Sequence, residues 1–221
     1  MRKLYHFELC PFSRQIRVLL HEKHLEYQLI VEKYWQHNEY FIQLNRAISL
    51  PVLKDDEYIV VESFSIISYL EEIYPEMPLI GHDTKEKNEN RRLICWFNHK
   101  FQQEVTGLIL EEKVISYYLR NNTPRSDVIR KAKNNLYKHL DYMNELLMQR
   151  NWLGGEKFSL ADIVAASHIS VLDFLNDIPW HYSQPVKDWY SLIKSRPSFR
   201  AILNDYVQGF SPPAHYTDLD F

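Results

Sequence analysis

Glycine is scarce in this chain, with 5 in 221 residues. A sequence so poor in tight-turn residues does not suit a many-stranded β sandwich or barrel, and helix should dominate. Cysteine is scarcer still: Cys10 and Cys95 cannot make a disulfide framework, and the expected setting is reduced and cytoplasmic. Neither sign of charge is in large excess, with 26 Lys and Arg against 29 Asp and Glu, so no basic face calls for a nucleic-acid partner. No uncharged run approaches the ~20 residues of a spanning helix. The opening Met1-Arg2-Lys3-Leu4-Tyr5-His6 lacks the apolar core of an export signal, so no membrane insertion is expected. The 10 histidines are scattered without metal-ligand spacing, and no metal is expected. Gly-x-Gly-x-x-Gly, Walker and Gly-x-Ser-x-Gly sequences are all missing.

What is present divides in two. The first ~80 residues alternate strand-like and helix-like segments, as in a small α/β domain. Leu4 to Phe7 reads as a strand, Arg14 to Glu22 as a helix and Tyr27 to Val31 as a second strand. Pro51 to Leu53 and Tyr58 to Val61 form an antiparallel hairpin around Lys54–Glu57, and Ser63 to Ile73 is a helix. Tyr74-Pro75-Glu76-Met77-Pro78 cannot continue that helix and reads as a linker. Beyond it the pattern is helical. Asp83-x-x-Glu86 starts a long helix with Leu93, Phe97, Phe101, Val105 and Leu108 on one face. Thr123-Pro124 should cap and start the next helix, Ser159-x-x-Asp162 is a capping box, and a last helix is expected over Val186 to Leu203. The resulting division is 1–78 for the α/β domain, 83–207 for the helical domain and 208–221 for an extended tail. Cys95, among Leu93, Ile94 and Trp96, is expected to be a packing residue.

Cys10-Pro11-Phe12-Ser13 carries the most chemistry. Proline suits the first turn of a helix, so Cys10 falls at a helix N-terminus. Free N–H groups and the positive end of the dipole there lower a thiol pKa and favour the nucleophilic thiolate. The alternative is a buried thiol beside an ordinary helix start. Ser13 cannot resolve a disulfide, which excludes a cycle using two cysteines of this motif. Leu50-Pro51 opens the third strand, where proline sits at an edge or in a cis bond. Glu62-Ser63 precedes the third helix, with Ser63 as its N-cap.

These residues resemble the cytosolic glutathione S-transferase family over the whole chain: a thioredoxin-like N-terminal domain, a proline-containing linker and an all-α C-terminal domain. The capping box at Ser159-x-x-Asp162 and the stretch Arg196-Pro197-Ser198-Phe199 also fit the family. The resemblance implies that Cys10 is the catalytic thiol, if the chain is an enzyme. It implies that Phe12, Leu50, Pro51, Glu62 and Ser63 line a glutathione site. Tyr5, in the first strand, is read as a core residue rather than a catalytic tyrosine. One departure is conspicuous: where the family carries Asn-Pro-x-Gly-Lys, this chain has Asn45-Arg46-Ala47-Ile48-Ser49, without the proline or the glycine.

The tail is peculiar. Pro212 and Pro213 stiffen it, and Tyr216, Leu219 and Phe221 stand as apolar anchors among Asp218 and Asp220. With Tyr5-His6-Phe7-x-x-Cys10-Pro11-Phe12-Ser13-Arg14, it is similar to a bacterial branch of glutathione-transferase-like proteins that bind FtsZ filaments in cell division. That resemblance implies a dimeric, non-catalytic protein of the cytoplasm and division site that requires no cofactor. Pro212, Pro213, His215, Tyr216, Asp218, Leu219, Asp220 and Phe221 would form its protein-binding element, with Arg91, Arg92 and Lys100 as charges that steer the encounter. The alternative implied by the wider family is a glutathione transferase or thiol transferase using Cys10, with glutathione as substrate.

Overall fold

The computed structural model describes residues 1–119 and 123–219, which form two compact units. The first comprises Met1–Leu79 with Arg196–Phe210, and the second comprises Ile80–Ser195 with the segment from Ser211 onward.

The first unit is an α/β layer. Its elements are β1 (Lys3–His6), α1 (Pro11–Glu22), β2 (Gln28–Val31), α2 (Glu39–Leu44), β3 (Val52–Asp55), β4 (Tyr58–Val61) and α3 (Ser63–Ile73). The sheet runs β2-β1-β3-β4, with β1 and β2 parallel and the other pairs antiparallel. A parallel pair needs a crossover, and α1 provides it. The β3–β4 hairpin is tighter than the sequence suggests: Asp55 pairs with Tyr58, leaving Asp56 and Glu57 as the turn, with Asp56 at φ 52°. On α1, Ile16, Val18, Leu19 and Leu20 are all fully buried, but so is Arg14, and Arg17 is nearly so.

The final helix of the sequence reading is two helices. α9 (Gln184–Lys194) stops, Arg196 turns extended, and α10 (Pro197–Leu203) begins with proline at its first position. A proline inside a continuous helix would remove a hydrogen bond and clash with the preceding turn, so the break belongs there. The segment from Arg196 is thereby freed to pack on α1, which moves it from the helical domain to the α/β unit. Arg17 makes a bidentate pair with Asp205 at 2.7 and 2.8 Å, and Arg196 does the same with Glu22 at 2.8 Å to each oxygen.

The second unit is helical. α4 (Thr84–Cys95) is capped by Asp83, whose carboxylate accepts the Lys85 and Glu86 N–H groups. The helix continues through wide, i→i+5 bonded turns at Trp96–Thr106 and Glu111–Ile115, separated by α5 (Gly107–Leu110) and followed by α6 (Ser116–Leu119). These turns explain a correction. In a regular helix a step of four residues drifts by ~40°, so an apolar stripe must mix steps of three and four. Here Leu93, Phe97, Phe101, Val105 and Ile109 are all fully buried at uniform steps of four, and Ile109 replaces the expected Leu108. The wider turn cancels the drift. Cys95 is exposed rather than packed, because it lies on the outward face shared with Arg91 and Arg92.

α7 (Ser126–Leu147) starts after Arg125, not at Thr123-Pro124. Glu112 fixes that start, accepting the Arg125 N–H at 2.8 Å and its guanidinium at 2.5 and 2.9 Å. α8 (Leu160–Phe174) is buried along its whole length. The expected capping box is formed: Asp162, with no exposed surface, accepts from the Ser159 N–H, the Ser159 hydroxyl, the Leu153 N–H and Trp189 Nε1–H. Gly154 is required beside it, since a Cβ there would lie 2.3 Å from Ser159 Oγ. Asn90 ties α4 to α8 by accepting the Ala161 N–H at 3.0 Å.

Two buried histidines set an acid limit on the fold. Burial holds His6 down to about 4, helped by the neighbouring guanidinium of Arg17. Burial also holds His168, which spans Thr106 and Asn98 at 3.1 Å each, down to about 3. An unfolded chain binds these protons near pH 6.5, so the stability they hold is present at neutral pH and lost as pH falls from ~6.5 towards ~4. Urea unfolding at neutral and mildly acid pH should show that loss, and His168→Gln should flatten the pH dependence even though it lowers stability at neutral pH.

Candidate functional site

The residues singled out in the α/β unit come together around the entry to β3. Cys10 is the N-cap of α1, as its position before Pro11 requires, with its carbonyl accepting the Ser13 and Arg14 N–H groups at 3.1 and 3.0 Å. Its Sγ lies 3.9 Å from the Leu50 carbonyl oxygen, a weak S–H donation. The Leu50–Pro51 peptide is cis. Phe12 is half-buried on the first turn of α1.

The thiol is not activated in the sense expected. Burial pushes the Cys10 pKa up, and this outweighs the Ser13 hydroxyl and the Phe12 and Ser13 N–H groups, which pull it down. A helix N-terminus offers partial charges, whereas removing a full thiolate charge from water costs more. Tyr5 is a core residue: it is 5% exposed, its hydroxyl meets that of Tyr40 at 3.5 Å, and burial pushes its pKa up to about 12.

Glu62, not Ser63, is the N-cap of α3, and it makes no side-chain cap bond. Ser63 is the buried first helical residue. Glu62 holds φ 68° and ψ 131°, a conformation that side chains disfavour and that concentrates at functional sites. Its carboxylate is exposed and accepts the Ser49 hydroxyl at 2.6 Å. A helix start with no side-chain cap is a ready acceptor of an anion.

The unusual stretch before Leu50 organises itself. Asn45 Oδ1 accepts the Ala47 N–H at 3.0 Å, and Asn45 Nδ2 donates to the Ser49 carbonyl and hydroxyl at 3.0 Å each. Asn45, Ser49 and Glu62 thus form one chain of bonds linking the loop to α3. Sequence reasoning did not find it, although an Asn followed by a turn is the available signal. Ile48 sits at φ 53° in this loop, at the place where the family pattern carries glycine. A β-branched residue is strained there.

In the helical unit the tail is docked rather than extended. Tyr216 has no exposed surface and meets Phe174 edge-on at 5.3 Å. His215 Nε2 lies 3.0 Å from Asp173, and Asp218 is held through its carbonyl by Lys194. Pro212, Pro213 and Leu219 are half-buried, while Asp220 and Phe221 lie outside the described residues. Tyr216 is therefore an internal anchor, because an aromatic ring gains more from a dry pocket than from solvent. Arg92 and Lys100 are engaged within the unit, with Glu89 and Glu104 respectively. Among the described residues no cluster fits a metal ion, and no helix is long and apolar enough to cross a membrane.

Two family models match: the glutathione S-transferase N-terminal domain over residues 4–78 and the C-terminal domain over residues 108–197. The chain belongs to the glutathione S-transferase family. Within that family it is 42% identical to FtsZ-localized protein A of Caulobacter vibrioides, over all of this chain and 98% of that one. The solved structure of FzlA from C. crescentus superposes with a TM-score of 0.97, covering 100% and 99% of the two chains. A structure described as a glutathione S-transferase from Rhodospirillum rubrum F11 superposes at 0.98 with 41% identity over the full length of both. Glutathione S-transferase F13 of Arabidopsis thaliana is more distant, at 25% identity over 89% of this chain and 92% of that one.

The strain at Ile48 gives a test within this family member. At ordinary sites Ala is more stable than Gly by ~0.5–1 kcal/mol. At φ 53° the order should invert, with Ile48→Gly more stable than Ile48→Ala by about 1 kcal/mol. Thermal or urea unfolding of the two variants decides it.

Proposed function

We propose that this glutathione-transferase-like chain is a non-catalytic protein of bacterial cell division that binds FtsZ filaments. The observation that carries this is the 42% identity to FtsZ-localized protein A, which runs through the whole chain rather than through the transferase core alone. The chemistry of the site supports it. The Cys10 thiol is held towards its protonated form, and the loop before Leu50 is closed on itself by Asn45 and Ser49. Fold does not fix function, and a family architecture can be kept for its surfaces.

The working form is a homodimer in the cytoplasm at the division site. Two identical binding surfaces on one dimer would engage two FtsZ subunits, and avidity would then change how filaments pack or curve. The tail from Pro212 to Phe221 is the contacting element. Its docked portion anchors it, and the flanking residues reach the partner.

A second reading is favoured by the geometry that sets Cys10 against the Leu50 carbonyl before cis-Pro51, with an uncapped helix start at Glu62-Ser63, and by the 41% identity to the Rhodospirillum rubrum transferase. On it, the Cys10 thiolate attacks the sulfur of a glutathionyl mixed disulfide and expels the partner thiolate. Free glutathione then attacks the Cys10–glutathione disulfide, releasing oxidised glutathione and restoring the thiol.

Sedimentation with polymerised FtsZ separates the two. The division reading expects the protein to pellet with polymer, and Cys10→Ser to pellet equally well. No pelleting above the polymer-free control contradicts it. Glutathione-dependent disulfide reduction that disappears in Cys10→Ser would establish the enzyme.

A further inference from the structure

Lys194 is a lysine with no exposed surface at the C-terminal end of α9. Lysines are almost never fully buried unless their charge is met. The ammonium donates to the His215 carbonyl at 2.8 Å and to the Asp218 carbonyl, and lies 5.8 Å from the centre of the Tyr190 ring. Asp173 acts on the ammonium through space as the opposite charge; it is fully buried on α8, and its Oδ1 accepts Trp180 Nε1–H at 2.8 Å and faces His215 Nε2 at 3.0 Å. The Trp180 ring in turn stacks on Tyr190 at 5.0 Å and 15°.

The bonds from Lys194 go to main-chain carbonyls, so they select a chain path rather than particular side chains. Two carbonyls three residues apart converge on one ammonium only if the segment turns. It does so in the short turn Ala214–Tyr216, where the Tyr216 N–H donates to the Pro213 carbonyl at 3.0 Å. Pro213, with φ fixed at −65°, enters that turn without further ordering. The turn places Tyr216 inward on Phe174 and leaves Ala214, Thr217 and Asp218 outward and exposed.

We propose that Lys194, partnered by Asp173, is a clamp that sets the conformation in which the C-terminal tail is presented to its protein partner. This rests on the tail being the contacting element. A free segment must be ordered when it binds, at a cost taken from affinity. A tail already fixed at His215, Tyr216 and Asp218 avoids most of that cost. Lys194 and Asp173 are positioning residues: they act through the tail.

The test pairs two readouts on the full chain. Hydrogen exchange at the Tyr216 amide reports the clamp without any partner, and sedimentation with FtsZ polymer reports presentation. Lys194→Met keeps the apolar stem and removes the donors. It should speed Tyr216 exchange by about tenfold, the effect of losing roughly one net hydrogen bond, and weaken FtsZ binding severalfold. Lys194→Arg should restore both. Tyr216→Ala should act in the same direction if Lys194→Met folds poorly. Unchanged exchange of the residue-216 amide in both variants overturns the clamp. Faster exchange with unchanged binding overturns its role in presentation. A chain ending at Ser211, which lacks the whole tail, tells which premise failed: if it too binds FtsZ normally, the tail reading itself is wrong, and if it loses binding, only the clamp is.

Discussion

Several ionisable side chains, among them Arg14, Asp162, Asp173 and Lys194, lie in the dry interior of this protein, and meeting their polarity constrains the fold around them. At several buried sites the structure either supplies hydrogen-bond partners or suppresses the charge. Asp162 receives four donors and so holds Leu153, Ser159 and Trp189 around the start of α8. Lys194 is met by carbonyls and by Asp173. His6 and His168 stay neutral instead, with pKa values near 4 and 3. Cys10 follows the same rule: its helix start offers donors, yet burial wins. Losing a buried partner in such a network costs ~3–5 kcal/mol, which is more than most single packing changes.

Much of the fold is legible in the sequence because its signals are local. Pro11, the Asp83 cap and the Ser159–Asp162 box each act within a few residues, and each is found where its chemistry places it. The misses come from long-range effects. The wide turns after Cys95 shift the buried stripe from Leu108 to Ile109, and no residue in that stretch announces them. α7 starts late because Glu112, in the preceding turn, captures Arg125. α10 leaves the helical domain because Arg17 and Glu22 on α1 hold Asp205 and Arg196. A residue 188 positions away cannot be read from a window of sequence.

The candidate site was readable in its residues but not in its state. Cys10 meets the Leu50 carbonyl and Glu62 meets the Ser49 hydroxyl, yet motif spacing says nothing of desolvation at Cys10 or of the left-handed Ile48. The tail shows the reverse. Its odd composition marked it as a recognition segment, and the structure turns Tyr216 inward, so part of that composition is used to anchor the tail.

At the half-buried Cys10, desolvation of the thiolate, not the helix dipole, decides the state of the thiol. Alkylation by iodoacetamide across pH, in a Cys95→Ser background so that one thiol reports, measures this directly. The rate should rise with a midpoint above the ~8.5 of a free cysteine. A midpoint below neutral pH would mean an activated thiolate and contradict the account.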